Sequence, residues 1–247
     1  MAGHSKWAQI KRQKAANDFK KGAIFSKLSR EIYVATREGG PHPESNVRLR
    51  MALERAKKEG MAHDTVERAI AKASGAGADG EEYQTVHYEG YGPGGMAVMA
   101  IALTDNRNRT AAEIRQAFNR HGGSLGETGT VSWQFDTIGQ VIVSADDHDG
   151  DEIALQAIDA GATDVVTEDG EIIVTTEPSD LHEVADTLRA QGAEISEAMV
   201  TRVAQNTVDI EGGQAATALK LLEALEDLDD VQEVFTNASF AENVVPA

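Results

Sequence analysis

Residues 139–204 read GQVIVSADDHDGDEIALQAIDAGATDVVTEDGEIIVTTEPSDLHEVADTLRAQGAEISEAMVTRVA. The short apolar runs QVIVS (140–144), DVVT (164–167), EIIVT (171–175) and EISEAMVTRVA (194–204) predict strands. DEIALQAIDAG (151–161) and SDLHEVADTLRAQG (179–192) carry helical periodicity and stop at glycine. The order is therefore β-α-β-β-α-β, the split order of a ferredoxin-like unit.

The flanks extend this pattern. Upstream, TVHYEGY (85–91) and MAVMAIAL (96–103) predict a hairpin closed by a Gly/Pro turn. A helix follows, with Thr110 and Glu113 spaced as a capping box and Ile114, Ala117 and Phe118 facing inward until Gly122-Gly123. TVSWQF (130–135) reads as another strand. Downstream come a helix, GQAATALKLLEALEDL (213–228), and a strand, DVQEVFTNA (230–238). These flanks could complete one middle α/β domain of residues 82–138 plus 205–247, with residues 139–204 inserted in it; the pattern supports the elements better than this pairing.

Residues 1–75 have a different grammar. Ile24, Phe25, Leu28, Ile32 and Ala35 fall in one arc of a helical projection, and GGPHPES then breaks the helix. Leu49, Ala52, Leu53 and Ala56 mark a second helix over Val47 to Lys58. A third opens at Asp64, with Glu67 completing a capping-box pattern. The expected fold is thus α+β and multidomain: an N-terminal three-helix bundle, then two α/β domains. SGAGADGEE (74–82) reads as a polar linker.

Charge separates these regions sharply. Residues 1–75 hold 16 Lys/Arg against 8 Asp/Glu, a net of +8, while residues 76–247 hold 7 against 33, a net of -26. Such asymmetry suits a chain that meets a polyanion at one end and repels it elsewhere. A solvated basic face is the competing explanation. In the opening segment, Lys6, Lys11, Arg12, Lys14, Lys20 and Lys21 can neutralise phosphates, and His4 can hydrogen-bond. Trp7 can either stack on an unpaired base or pin the segment to the bundle. Lys27, Arg30, Arg48, Arg50 and Arg55 continue the basic set along the helices. A second island, TDNRNRTAAEIRQAFNRHGG (104–123), offers Arg107, Asn108, Arg109 and Arg115 at a helix opening, where guanidinium forks and backbone N–H groups suit phosphate. Salt bridges to neighbouring acids are the alternative use of those arginines.

Other chemistries find little support. Gly75, Gly77 and Gly80 follow a helix, and Gly90, Gly92 and Gly95 lie between two strands, so neither G-x-G-x-x-G has a dinucleotide-binding context. DDHDGDE (146–152) lacks the EF-hand order and reads as a loop that caps the next helix. The seven histidines show no metal spacing, no G-x-S-x-G elbow occurs, and there is no cysteine. No enzyme, cofactor or metal site is expected. No apolar run approaches the ~20 residues that cross a bilayer, and the N-terminus lacks a signal-peptide core, so a cytoplasmic location without membrane contact is expected.

Five segments also occur in order as in a known family: GHSKWAQIKRQKAANDFKKGAIFSKLSREI (3–32), RLRMALERAKKEGM (48–61), YEGYGPGG (88–95), LTDNRNRTAAEIRQAFNRHGG (103–123) and SLGETGTVSWQF (124–135). Essentially the whole chain resembles the YebC/PmpR family, which includes the mitochondrial translational activator of cytochrome c oxidase. The resemblance implies three domains, the third inserted in the second, and no catalytic residue or cofactor. It further implies a nucleic-acid-binding regulator of gene expression. Family members are described as DNA-binding transcriptional regulators, or as translation factors that contact ribosomal RNA near the peptidyl-transferase centre and relieve stalling at consecutive prolines. The partner expected first is ribosomal RNA, with duplex DNA the alternative, and the chain is expected to be a monomer or weak dimer. Gln9, the ESNVRLR stretch and His63 depart from the family pattern, the last removing one cation.

Overall fold

The structure is a computed structural model that describes residues 21–75, 83–145, 149–168 and 170–240. Two compact units divide at Gln134/Phe135 and again at Gln205/Asn206.

Among the described residues, the first unit opens with three helices, α1 (Lys21–Gly39), α2 (Val47–Lys58) and α3 (His63–Ser74). Leu28, Ile32 and Ala35 of α1 meet Leu49, Ala52 and Ala56 of α2, with Met61 closing the cluster. Their three- and four-residue spacing puts them on one helix face, and removing that face from water is what holds so short a bundle together. Gly40 ends α1 with φ +85°, a left-handed conformation that glycine adopts without Cβ strain. Asn46 then starts α2. Its Oδ1 accepts the Leu49 N–H at 3.0 Å, while its Nδ2 donates to the carbonyls of Ala35 (2.7 Å) and Gly40 (2.8 Å). One buried amide thereby joins the end of α1 to the start of α2.

The capping box expected at Asp64 is not formed. Helix α3 starts at His63 with Ala62 at the cap and no side-chain hydrogen bond there. Asp64 lies inside the first turn, where a carboxylate still favours the helix dipole. Glu67 turns instead toward His63, at 3.5 Å.

The same unit continues with β1 (Gln84–Tyr91), β2 (Ala97–Thr104), α4 (Arg107–Arg120) and β3 (Ser124–Leu125). After the second unit it resumes with β8 (Val208–Ile210), α7 (Gly212–Glu226), β9 (Val231–Thr236) and β10 (Ala238–Phe240). The main sheet has the order β3-β1-β2-β9, and β8 pairs with β10 in a separate parallel ribbon. Helices α4 and α7 cover one sheet face, where Val98 and Ala100 pack with Ile114, Phe118, Leu219 and Leu222. A Cβ on Gly90 would meet Ser124 O at 2.4 Å and Phe118 Cε1 at 2.9 Å, so this glycine lets β3 and α4 close on β1. Leu103, on the opposite face, packs with Tyr33 and Val34 of α1, Ala73 of α3 and Tyr83.

The second unit contains β4 (Phe135–Ser144), α5 (Gly150–Asp159), β5 (Asp164–Glu168), β6 (Glu171–Thr176), α6 (Leu181–Ala190) and β7 (Ile195–Ala204). Its strands are antiparallel in the order β5-β6-β4-β7, the ferredoxin-like arrangement. Val141, Val143, Ile172 and Val174 meet Ile153, Ala157, Leu181, Val184 and Leu188 across the helix-covered face. Asp149 caps α5 by accepting the Asp151 N–H at 3.0 Å.

TVSWQF is not the strand its alternation suggests. Ser132–Gln134 forms a 3-10 turn, and β4 begins only at Phe135, so Gly139 lies in mid-strand. The N–H groups of Val131 and Ser132 are taken by the Glu89 carboxylate, which leaves them no strand partner. Among the described residues no helix is long and apolar enough to cross a membrane.

Candidate nucleic-acid interface

The arginine-rich island opens α4, and its geometry comes from two polar residues. Asn106 caps the helix by accepting the Arg109 N–H at 3.1 Å. Thr110, expected as the cap, lies a turn further in and is fully buried. Its hydroxyl donates to Asp230 Oδ2 at 2.7 Å, and the Thr104 hydroxyl lies 3.2 Å from the same oxygen. The capping-box spacing misled because Asn106 is an equally good cap that starts the helix four residues earlier.

Asp230 is only 2% exposed and gathers cations from two directions. Arg109 Nη2 donates to its Oδ2 at 2.7 Å and to Asp105 at 2.9 Å. Arg30 Nη1 stands 3.2 Å from Oδ1 and also donates to the Asp229 carbonyl. Burial pushes the Asp230 carboxyl toward protonation. Hydrogen bonds from Arg109 and Thr110, with the charges of Arg109 and Arg30, outweigh it and hold the pKa below the usual carboxylate range. Arg109 is correspondingly raised above its already high value, first by its hydrogen bond to Asp230.

These contacts sort the nominated cations. Lys27 donates to the Glu226 carbonyl at 2.6 Å, so Lys27, Arg30 and Arg109 tie α1 and α4 to the α7–β9 connection. Arg48 pairs with Glu38, and Arg55 with Glu31 at 3.2 Å, on exposed surface where such pairs are weak and exchangeable. Arg50, Arg107 and Arg115 are exposed and make no ion pair among the described residues, and Asn108 is exposed on the first turn of α4. Lys21 opens α1. His4, Lys6, Trp7, Lys11, Arg12, Lys14 and Lys20 lie outside the described residues.

Arg120 and Lys220, both outside the nominated set, extend the α4 surface. Arg115 and Arg120 line a shallow hollow with Ala112, Gln116 and Asn119. His121, at the end of α4, has its pKa lowered by burial first and then by the nearby charges of Arg120 and Lys220 of α7. Five of the seven Lys/Arg residues beyond position 75 thus sit on α4 or α7. The periodicity of α7 marks its core face well but does not reveal that Lys220 comes close to α4.

A second organised feature lies at β1. Glu89, 2% exposed, accepts N–H groups from Gly129 (2.9 Å), Val131 (2.8 Å) and Ser132 (2.8 Å). Burial again favours the neutral acid, but these donors prevail and lower its pKa. Gly129 adopts φ +91°, which only glycine takes readily. The loop so fixed presents Trp133, 67% exposed, whose indole N–H donates to Thr130 O at 3.2 Å. The Tyr91 hydroxyl donates to that same carbonyl at 3.4 Å. Reading TVSWQF as a strand hid this exposed indole; the glycine- and threonine-rich GETGT preceding it was the available signal for a loop.

His63, Asp64 and Glu67 are close enough to share a cation but are all exposed, as acidic residues opening a helix ordinarily are.

Comparison with known proteins shows the family of nearly the whole chain. Residues 5–76 match the model of the TACO1/YebC protein N-terminal domain, and residues 83–238 match that of the TACO1/YebC second and third domain. A relative from Thermomicrobium roseum, named a probable transcriptional regulatory protein, is 66% identical over 244 residues, covering 99% of this chain and 98% of its own. A protein of the same description from Thermus thermophilus is 48% identical over 239 residues, 96% of each chain. The crystal structure of a conserved hypothetical protein from Aquifex aeolicus superposes with a TM-score of 0.89 at 47% identity, covering 98% of this chain and 100% of that one. On sequence and architecture together, the chain belongs to the TACO1/YebC family.

Proposed function

We propose that the protein is a non-enzymatic, cytoplasmic nucleic-acid-binding regulator of gene expression, acting as a translation factor on ribosomal RNA. The observation that carries the reading is the segregation of charge, net +8 over residues 1–75 within a chain of net charge -18, joined by the exposed guanidinium groups of α4. Phosphate contacts come from the N-terminal set Lys6, Lys11, Arg12 and Lys14, from Arg48, Arg50 and Arg55, and from Arg107 and Arg115. Lys27, Arg30 and Arg109 serve the internal connections instead, orienting the two cationic surfaces. Binding near the peptidyl-transferase centre would relieve stalling at consecutive prolines by positioning peptidyl-tRNA, without side-chain chemistry.

The relatives' names favour a second reading, a transcriptional regulator on duplex DNA. Such a protein needs a recognition helix in the major groove, commonly within a symmetric dimer. Helix α2 is the best-charged candidate, yet its sequence lacks an obvious helix-turn-helix turn. The strongly acidic remainder of the chain also disfavours following a duplex. Crosslinking in cells, followed by sequencing of the attached nucleic acid, separates the readings. Ribosomal RNA is the expected recovery; promoter DNA without ribosomal RNA would sink the translation-factor reading.

A further inference from the structure

We propose that Trp133, with Tyr91 beside it, is a stacking platform for an unpaired nucleobase. The inference rests on the nucleic-acid reading and adds to it a residue and a preference for single-stranded segments. A large aromatic side chain gains most by burial, so an indole left 67% exposed on an ordered loop is unusual. Tyr91, at 37% exposure, stands next to it. Both rings direct their polar ends inward to the Thr130 carbonyl. Their hydrogen-bonding edges are therefore occupied, and what they offer to solvent is aromatic surface.

The loop is held before any ligand arrives. Three N–H donors converge on the buried Glu89 carboxylate, and Gln134 closes the turn through its N–H to Val131 O at 2.9 Å. Less ordering entropy then remains to be lost when a base stacks. The exposed neighbours Glu127, Thr128 and Gly129 are polar or lack a side chain, so the rings do not form the extended apolar patch typical of a protein-docking surface. A planar heteroaromatic partner meets such isolated rings without needing a wide apolar surround, and stacking is tolerant of base identity.

Placement connects the platform to the cationic helices. In the β1–β2 pair, Glu89 is opposite Met99 and Thr85 is opposite Leu103, so Glu89 and Leu103 share one sheet face. Leu103 is where α1 and α3 pack. Four residues of strand separate the two positions, about 14 Å at ~3.4 Å per residue. The Trp133 loop is thereby anchored on the sheet face that the basic helical bundle packs against, and Arg48, Arg50 and Arg55 belong to that bundle's α2.

The test measures anisotropy of a labelled, unstructured oligoribonucleotide and of the same sequence as a duplex, across salt concentrations. The full-length protein is compared with Trp133→Ala and Trp133→Phe, each with a thermal melt. Trp133→Ala is expected to weaken single-strand binding by about 10-fold, without changing the salt slope or duplex affinity, because it removes stacking and no charge. Trp133→Phe, which retains an aromatic face, recovers most of the loss and keeps the comparison valid if the alanine variant melts early. Wild-type binding that Trp133→Ala leaves unchanged overturns the platform but not the nucleic-acid reading. Equal losses on single strand and duplex also overturn it, showing a structural role for the loop. Wild-type binding to neither probe removes both proposals. Trp133-dependent capture of a protein, with RNA affinity unaltered, assigns the surface to protein contact and rejects the base.

Discussion

Glu89 and Asp230 are both buried to 2% exposure, and both are held ionised, but by different means. Glu89 is satisfied mainly by backbone N–H groups from one loop 40 to 43 residues away, with the Ser132 side chain adding to them. Asp230 is satisfied by side chains, Thr110 and Arg109 from α4 and Arg30 from α1. A mainly backbone cage shapes one loop and is little altered from the donor side by substitution, since N–H groups persist in nearly every residue and only the Ser132 side chain can be removed. A side-chain node joins elements distant in the chain and can be undone at several positions. The first device presents an aromatic surface, and the second holds two cation-bearing helices in register.

The largest expected effect follows from this contrast. Glu89→Ala leaves three backbone donors without an acceptor in a buried place and should cost about 3 kcal/mol in urea unfolding. Glu89→Gln, which keeps one acceptor oxygen, should lose less. If the two variants unfold alike, charge rather than hydrogen-bond count governs the cage. Asp230→Asn should cost about 2 kcal/mol, because Arg109 is partly exposed and can turn to water when its partner is neutralised. A larger loss at Asp230 than at Glu89→Ala would reverse the ranking of the two devices.

Acid should weaken both. Each carboxyl has a folded pKa below its unfolded value, so its contribution is fully present above about pH 4 and fades as pH falls through the lower folded pKa. Urea midpoints should therefore decline below about pH 4, and less steeply in Asp230→Asn; an unchanged slope in that variant would show that Asp230 titrates alike in both states. Among cations, Lys11→Glu with Arg12→Glu should weaken RNA binding and reduce the salt slope by up to about 0.7–0.9 per lost contact. An unchanged slope would show those charges to be solvated surface. The smallest effect is Arg48→Ala, whose exposed ion pair with Glu38 should contribute under ~1 kcal/mol to stability. A substantial loss there would show that Arg48 belongs with Arg30 and Arg109 as an internal brace.

Much of the fold was legible because it depends on local periodicity. Leu28, Ile32 and Ala35 announced the buried face of α1, and the β-α-β-β-α-β order of residues 139–204 announced the second unit's sheet. Three-residue strands such as β8 and β10 offer too few positions for any period to show. Helix openings were misplaced where two cap-forming residues compete, as Asn106 and Thr110 do. For the candidate site, residue type was readable and use was not. Arg30, Arg109 and Arg115 look alike in the chain, yet Asp230 engages the first two and leaves the third exposed.

By itself, then, the sequence determined the order of the helices and most of the longer strands, the family and the polarity of charge, because each is written in composition, motif or short-range spacing. Only the tertiary structure decided which cations brace the fold, that Thr110 is buried, and that an indole in a strand-like stretch faces solvent. Those outcomes depend on two carboxylates meeting donors from elsewhere in the chain, Asp230 reaching Arg30, Arg109 and Thr110 and Glu89 reaching the Gly129–Ser132 loop. A buried charge must be satisfied wherever partners can be brought to it, and no local pattern reveals where that will be.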